Sequence, residues 1–183
     1  MKGRKTFFSA ATSVCLAALL AAGGFTVRVE AQKAGRHETL AASPVAAAVT
    51  VTAPTAFQNT GFDFTIPITV SPLPDPNPPT FVGVISYQFD LTYDPAVIQP
   101  LANPVDLTGT ISEGATPTFN NPSPGLLKVV VFRGSPAMTG SGTLLKLKFH
   151  ASGAPGTFSP LTWSTFMFNE GDPDDIDVSG RIT

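Results

Sequence analysis

Cysteine is almost absent from this chain. The single one, Cys15, lies in an apolar run near the N-terminus, so no thiol remains downstream for a disulfide or a thiolate metal cage. The two histidines, His37 and His150, are too few and too far apart to form an imidazole cage. Charge is scarce too. Only 13% of residues are Asp, Glu, Lys or Arg, and the formal net charge is -2. No basic cluster occurs past the N-terminal region, which removes the electrostatic footprint of a nucleic-acid binder. A second apolar run of membrane length is lacking, so the sequence predicts no membrane span. Helical periodicity is missing as well: no dozen residues downstream of the N-terminus repeat at 3.6. Phe, Pro, Gly and Thr are abundant instead (14 Phe, 18 Pro and 16 Gly), a composition that suits short strands joined by turns.

The N-terminus reads as a targeting signal. Lys2, Arg4 and Lys5 precede an apolar run from Phe7 to Ala22, and Val29-Glu30-Ala31 supplies a small-residue cleavage pattern before Gln32. Residues 1–31 are therefore expected to be a cleavable signal peptide, giving a secreted product, extracellular or periplasmic. Val14 is not the small residue that a lipid-modified Cys15 would require before it. Residues 32–47 mix Ala, Lys, Arg, His, Glu and Pro without a period, as a flexible linker does. Residues 48–183 are left as one domain of ordinary size.

Within that domain the clearest pattern is Gly83 to Ile98. Tyr87, Phe89, Leu91 and Tyr93 alternate with Ser86, Gln88, Asp90 and Thr92, giving one apolar and one polar face at period two, before Asp94-Pro95 ends the strand. Phe62 to Val70 alternates similarly, with Phe62, Phe64, Ile66, Ile68 and Val70 inward, and Pro67 marks an edge strand or a bulge. Val49–Thr52 and Val97–Leu101 are short strands. Ser71–Thr80 reads as a stiff surface loop, and Asn103–Pro124 as irregular with one strand near Val105–Ile111. Leu126–Arg133 is a run expected to be buried on much of both faces. Leu145, Leu147 and Phe149 face inward, opposite Lys146, Lys148 and His150. Trp163, Phe166 and Phe168 change phase midway, which a bulge would explain. Asp175–Val178 and Arg181–Thr183 form the last strand. Eight or nine strands without a helix predict an all-β sandwich with jelly-roll topology.

Reactive groups are thin. Ser135 and Ser141 have no base nearby in sequence, and no glycine-rich loop opens a helix. No catalytic residue, cofactor or metal site is predicted. The acidic stretch Glu170–Asp177 does not fit a calcium-loop spacing and reads first as a solvated hairpin loop, with a structural calcium site as the sharper alternative.

Several segments resemble the cohesin domain family. Gly83, Val84, Ser86, Phe89, Leu91, Tyr93, Asp94, Pro95, Val97 and Ile98 match the pattern of its third strand. Thr60-Gly61 with Phe64–Val70, including Pro67, resembles an early strand; Gly142–Phe149 resembles another. Phe168-Asn169-Glu170-Gly171 and Ser179-Gly180-Arg181-Ile182 resemble the closing hairpin and final segment. The resemblance implies a nine-stranded jelly roll and a non-catalytic module. Its partner would be a dockerin-like module, in an attachment linked to polysaccharide degradation. It also implies that the polar face of this strand meets the partner, with Ser86 and Gln88 at contact positions and Asp90 and Thr92 extending the surface. Cohesins often carry Asn and Asp where Ser86 and Gln88 stand.

Two other functions fit the composition. A carbohydrate-binding module, with polysaccharide as ligand, would need exposed rings, for which Trp163, Tyr87 and Tyr93 are the Trp and Tyr candidates; alternation turns both Tyr inward. A structural or adhesion protein of the cell envelope would join neighbours by strand addition, with the segment from Gln32 as donor.

Overall fold

The computed structural model describes residues 48–183. The signal-peptide and linker readings of residues 1–31 and 32–47 lie outside the described residues. The strands are β1 (Val49–Thr52), β2 (Thr55–Ala56), β3 (Asp63–Leu73), β4 (Ser86–Thr92), β5 (Ile98–Asp106) and β6 (Thr116–Ser123), followed by β7 (Leu126–Phe132), β8 (Gly140–Ala151), β9 (Ser159–Phe168), β10 (Asp175–Val178) and β11 (Gly180–Ile182). They form a five-stranded sheet, β10-β1-β3-β8-β5, and a six-stranded sheet, β2-β11-β9-β4-β7-β6. Two runs of chain, β1–β2 and β10–β11, start in one sheet and finish in the other. Counted as runs of chain, the eleven strands become nine, within the eight or nine read from the sequence and equal to the count the resemblance implies.

Alternating side chains from both sheets meet in a single core. Ile66, Ile68, Leu145, Leu147 and Phe149 come from one sheet; Tyr87, Phe89, Leu91, Leu127, Val129, Val131, Trp163, Phe166 and Phe168 come from the other. Tyr93 lies just past β4 and points inward as expected, its ring edge-on to Phe149 at 5.9 Å. The Tyr87 hydroxyl is buried and bonds Ser112 Oγ at 2.9 Å, and burial holds its pKa well above the ordinary phenol range. The phase change in β9 is a bulge: Asp90 pairs with Thr165 and Leu91 with Trp163, so Ser164 is the extra residue.

Other expectations need correction. Phe62 is exposed, because it falls one residue short of β3, where alternation no longer governs its direction. Pro67 lies in an interior strand. Its β8 side is paired at Lys146, but β1 reaches only Thr69 and Val70, so the missing donor costs no ladder bond on that side. A bulge follows between Ile68 and Thr69. Part of the proline-rich segment, Ser71–Leu73, continues β3. In β7, Leu127, Val129 and Val131 are buried while Lys128, Val130 and Phe132 face out, so it is a one-sided strand. The irregular stretch contains β6, which carries no hydrophobic alternation because it is the exposed edge of its sheet. The strand near Val105 is the end of β5.

The last strand is also two strands. β10 pairs in parallel with β1, and β11 pairs antiparallel with β9. Asp175 and Asp177 stand beside Val49 and Val51, whose side chains are buried, so the two carboxylates point to the inner side at the sheet edge. Charges turned inward on an edge strand discourage edge-to-edge association. Part of the acidic stretch is therefore a strand and not a loop.

Burial first, then the neighbouring Asp175, pushes the Asp177 pKa up to about 6. A raised carboxyl pKa means the folded state holds a proton that the unfolded chain has released. Stability should therefore fall as pH rises from about 4 to about 6. The pair is largely open to water, and screening limits the loss to about 1 kcal/mol or less. Thermal melts across this range should show the slope, and Asp177→Asn should flatten it. An unchanged slope in that variant would remove Asp177 as the cause.

Candidate partner-binding face

β4 lies between β9 and β7 in the six-stranded sheet. Its outward residues form the centre of a broad surface. Ser86 is opposite Phe132, Gln88 opposite Val130, Asp90 opposite Lys128 and Thr92 opposite Leu126 on β7. On the β9 side, Gln88 is beside Met167, Asp90 beside Thr165 and Thr92 beside Thr162. The four residues predicted from sequence, Ser86, Gln88, Asp90 and Thr92, thus share one face, and β7 adds to it.

The chemistry of this face is mostly neutral. Gln88 is exposed, its Nε2 directed at Met167 Sδ 3.9 Å away. Thr92 Oγ1 donates to the Thr162 carbonyl at 3.1 Å. Asp90 and Lys128 neutralise each other in a surface ion pair. Val130 and Phe132 are 45% and 56% exposed, although both are large apolar side chains at the middle of a sheet. The surface continues past the strand ends into a groove lined by Phe81, Val82, Ile85 and Phe132 together with Glu170 and Asp172.

Val130 and Phe132 were not legible as site residues from the sequence. The run LLKVVVF has apolar residues at both parities, and β-branched side chains favour a strand without choosing a face. The signal that could have found them is Lys128: a lysine in a strand marks the solvent side, and counting by two from it reaches Val130 and Phe132.

One side chain holds the upper end of this face together. Asn169, just past β9, accepts hydrogen bonds at Oδ1 from the Ile85 amide (2.9 Å) and the Ser86 amide (3.1 Å). Its Nδ2 donates to the Gly83 carbonyl at 2.8 Å. Its φ of 36° is in the left-handed region, which Asn tolerates better than most residues. Asn169→Ala should strand three backbone groups at the start of β4 and lower stability by about 2 kcal/mol. A urea midpoint within error of the wild type would show that water replaces these bonds without loss.

Elsewhere the sequence candidates are dispersed. His150 Nδ1 meets Asp63 Oδ1 at 2.7 Å on the outer side of the other sheet. Trp163, Tyr87 and Tyr93 are all buried, and Trp163 Nε1 donates to the Val178 carbonyl at 3.1 Å, so none of the three offers a ring to a sugar. Among the described residues, no three His, Cys, Asp or Glu side chains gather as metal ligands do.

A family model described as Cohesin domain matches residues 47–183. Among solved structures, the chain resembles the sixth cohesin of scaffoldin B from Acetivibrio cellulolyticus, in complex with a mutant dockerin. The identity is 18%, the alignment covers 74% of this chain and 98% of that one, and the TM-score is 0.60. A non-cellulosomal cohesin from the hyperthermophilic archaeon Archaeoglobus fulgidus is 20% identical, with 74% and 90% covered and a TM-score of 0.57. A type I cohesin–dockerin complex from Clostridium thermocellum is 16% identical, with 74% and 97% covered and a TM-score of 0.58. At these identities the likeness shows the fold. Among curated proteins, none matches.

Proposed function

The chain belongs to the cohesin domain family, and from that premise we propose that it is a secreted, non-catalytic docking module for a dockerin-type partner. The observation that carries this reading is the neutral, partly apolar face made by β4 and β7. Interface centres are depleted of charge and enriched in large apolar side chains. Here Ser86, Gln88, Val130 and Phe132 supply such a centre, and the one ion pair, Asp90 with Lys128, is already neutral. Two of the similar structures are of cohesins with a dockerin bound, which supports the same class of partner. Attachment of this kind would place polysaccharide-degrading enzymes on a support. Residues 1–31 would export the module, and residues 48–183 would be the folded domain.

Gln88→Arg tests the face directly. Gln88 is flanked by Val130 and Met167, so an arginine there places a new charge and a longer side chain at the neutral centre of the face. Burying that charge against a partner should weaken binding by roughly 100-fold. Calorimetry with the dockerin modules of the same organism would read the change. If the wild type binds none of them, or the variant binds as tightly, the proposal fails.

A further inference from the structure

A second surface lies at the end of the sandwich where β9 begins and β11 ends, beyond the Thr92 end of β4. It is built on the loop 57–62. Phe57 and Phe62 are 79% and 67% exposed, and they lead the large apolar side chains in exposure among the described residues. Single exposed apolar residues are ordinary. These two, however, flank one depression, whose remaining wall includes Gln58, Asn59, Thr60 and Thr183. No charged side chain lines it.

The loop that carries the rings is pinned at three points. The Gln58 amide donates to the Thr183 carbonyl at 2.8 Å, and the Gly61 amide to the Ala151 carbonyl at 2.7 Å. Thr60 Oγ1 donates to the Gly153 carbonyl at 2.7 Å. The rings therefore stand on a held backbone, which lowers the entropy cost of binding. Thr183 lines this depression too, together with Gln58 and Thr60, and the same three residues line a small neighbouring pocket.

We propose that this end of the sandwich is a binding site for a neutral polysaccharide, with Phe57 and Phe62 as its stacking rings. A pyranose presents an apolar C–H face and a rim of hydroxyls. The face packs on phenyl rings, which carry large apolar area. The hydroxyls need uncharged donors and acceptors, which the side-chain amides of Gln58 and Asn59 supply. The site is separate from the β4–β7 face and does not depend on what that face binds. It would let one module hold a partner on one surface and a sugar chain on another.

Affinity electrophoresis of the full-length protein through gels containing soluble β-glucan, xylan or mannan, with polygalacturonate as the charged comparison, tests this. The wild type should be retarded by at least one neutral polymer. Phe57→Ala/Phe62→Ala should abolish the retardation, with each ring worth roughly tenfold in affinity, while Gln88→Arg should leave it intact. Thermal melting confirms that the double variant is folded; should it melt early, Asn59→Ala and Phe57→Leu carry the same comparison. Retardation by none of the neutral polymers, by polygalacturonate alone, or equally in the ring variants would overturn the proposal.

Discussion

Alanine in place of Phe89 is expected to cost about 3–5 kcal/mol of folding stability, the loss that truncating a fully buried ring brings. Phe89 is 1% exposed and sits mid-strand on β4, paired with Val129 on one side and Phe166 on the other. Its ring stacks on Phe166 at 5.8 Å, nearly parallel at 4°, and meets Trp163 edge-on at 5.2 Å. Phe166 in turn contacts Tyr87 and Phe168. Removing Phe89 thus opens a cavity inside an aromatic cluster carried by two paired strands, β4 and β9, whose ladder keeps the remaining rings from collapsing into the space. Domains of this size have a total stability of roughly 5–15 kcal/mol, so the variant would keep only a fraction of it. Urea denaturation should show a lower midpoint with an unchanged slope. Phe89→Leu retains much of the volume and should cost clearly less. A midpoint shift under about 1 kcal/mol for the alanine variant would mean the cluster repacks, contrary to this account.

The same strand shows what could be read in advance. The alternation of Tyr87, Phe89 and Leu91 with Ser86, Gln88 and Asp90 was decisive because a half-buried central strand must obey period two. The bulge in β9 was legible too, since Trp163 and Phe166 cannot both face inward without an extra residue between them. Legibility stopped where hydrophobic pattern no longer separates the faces. β7 puts apolar side chains on both sides, and its outward Val130 and Phe132 are exposed, so the apolar pattern does not mark a face. β6 gave no signal, being an edge whose Thr, Pro and Asn residues bury little. The placement of Phe57 and Phe62 in one depression depends on Pro155 and Thr183, distant in sequence, and nothing local encodes that. Alternation placed Ser86 and Gln88 on the polar face, and the family resemblance implied that they meet a partner; only the pairing register showed what stands beside them.

The split of the last strand was likewise hidden, and Gly180 explains why a glycine is required there. An added Cβ would lie 2.1 Å from the Pro54 carbonyl oxygen and 2.5 Å from that of Ala53. Those residues are where β1 gives way to β2, and Ser179-Gly180 is where β10 gives way to β11. The two runs of chain cross between sheets at the same place, backbone against backbone. They are tied by the Ala53 amide to the Val178 carbonyl at 2.9 Å and the Arg181 amide to the Pro54 carbonyl at 3.1 Å. Gly180→Ala must therefore push one crossover away from the other and break one or both bonds. Alanine would reduce unfolded-chain entropy, worth under about 1 kcal/mol, against a backbone clash costing about 3 kcal/mol or more. The net result should be a clear drop in the urea midpoint, while Ser179→Ala, at an exposed neighbour, should change little. Because β4 and β7 do not touch this crossing, the folded fraction of Gly180→Ala should still present the Gln88 face and bind with unchanged stoichiometry. Wild-type stability in Gly180→Ala would show that the crossing relaxes freely. Lost binding at full folding would mean that the crossover and the face are coupled, contrary to the strand order.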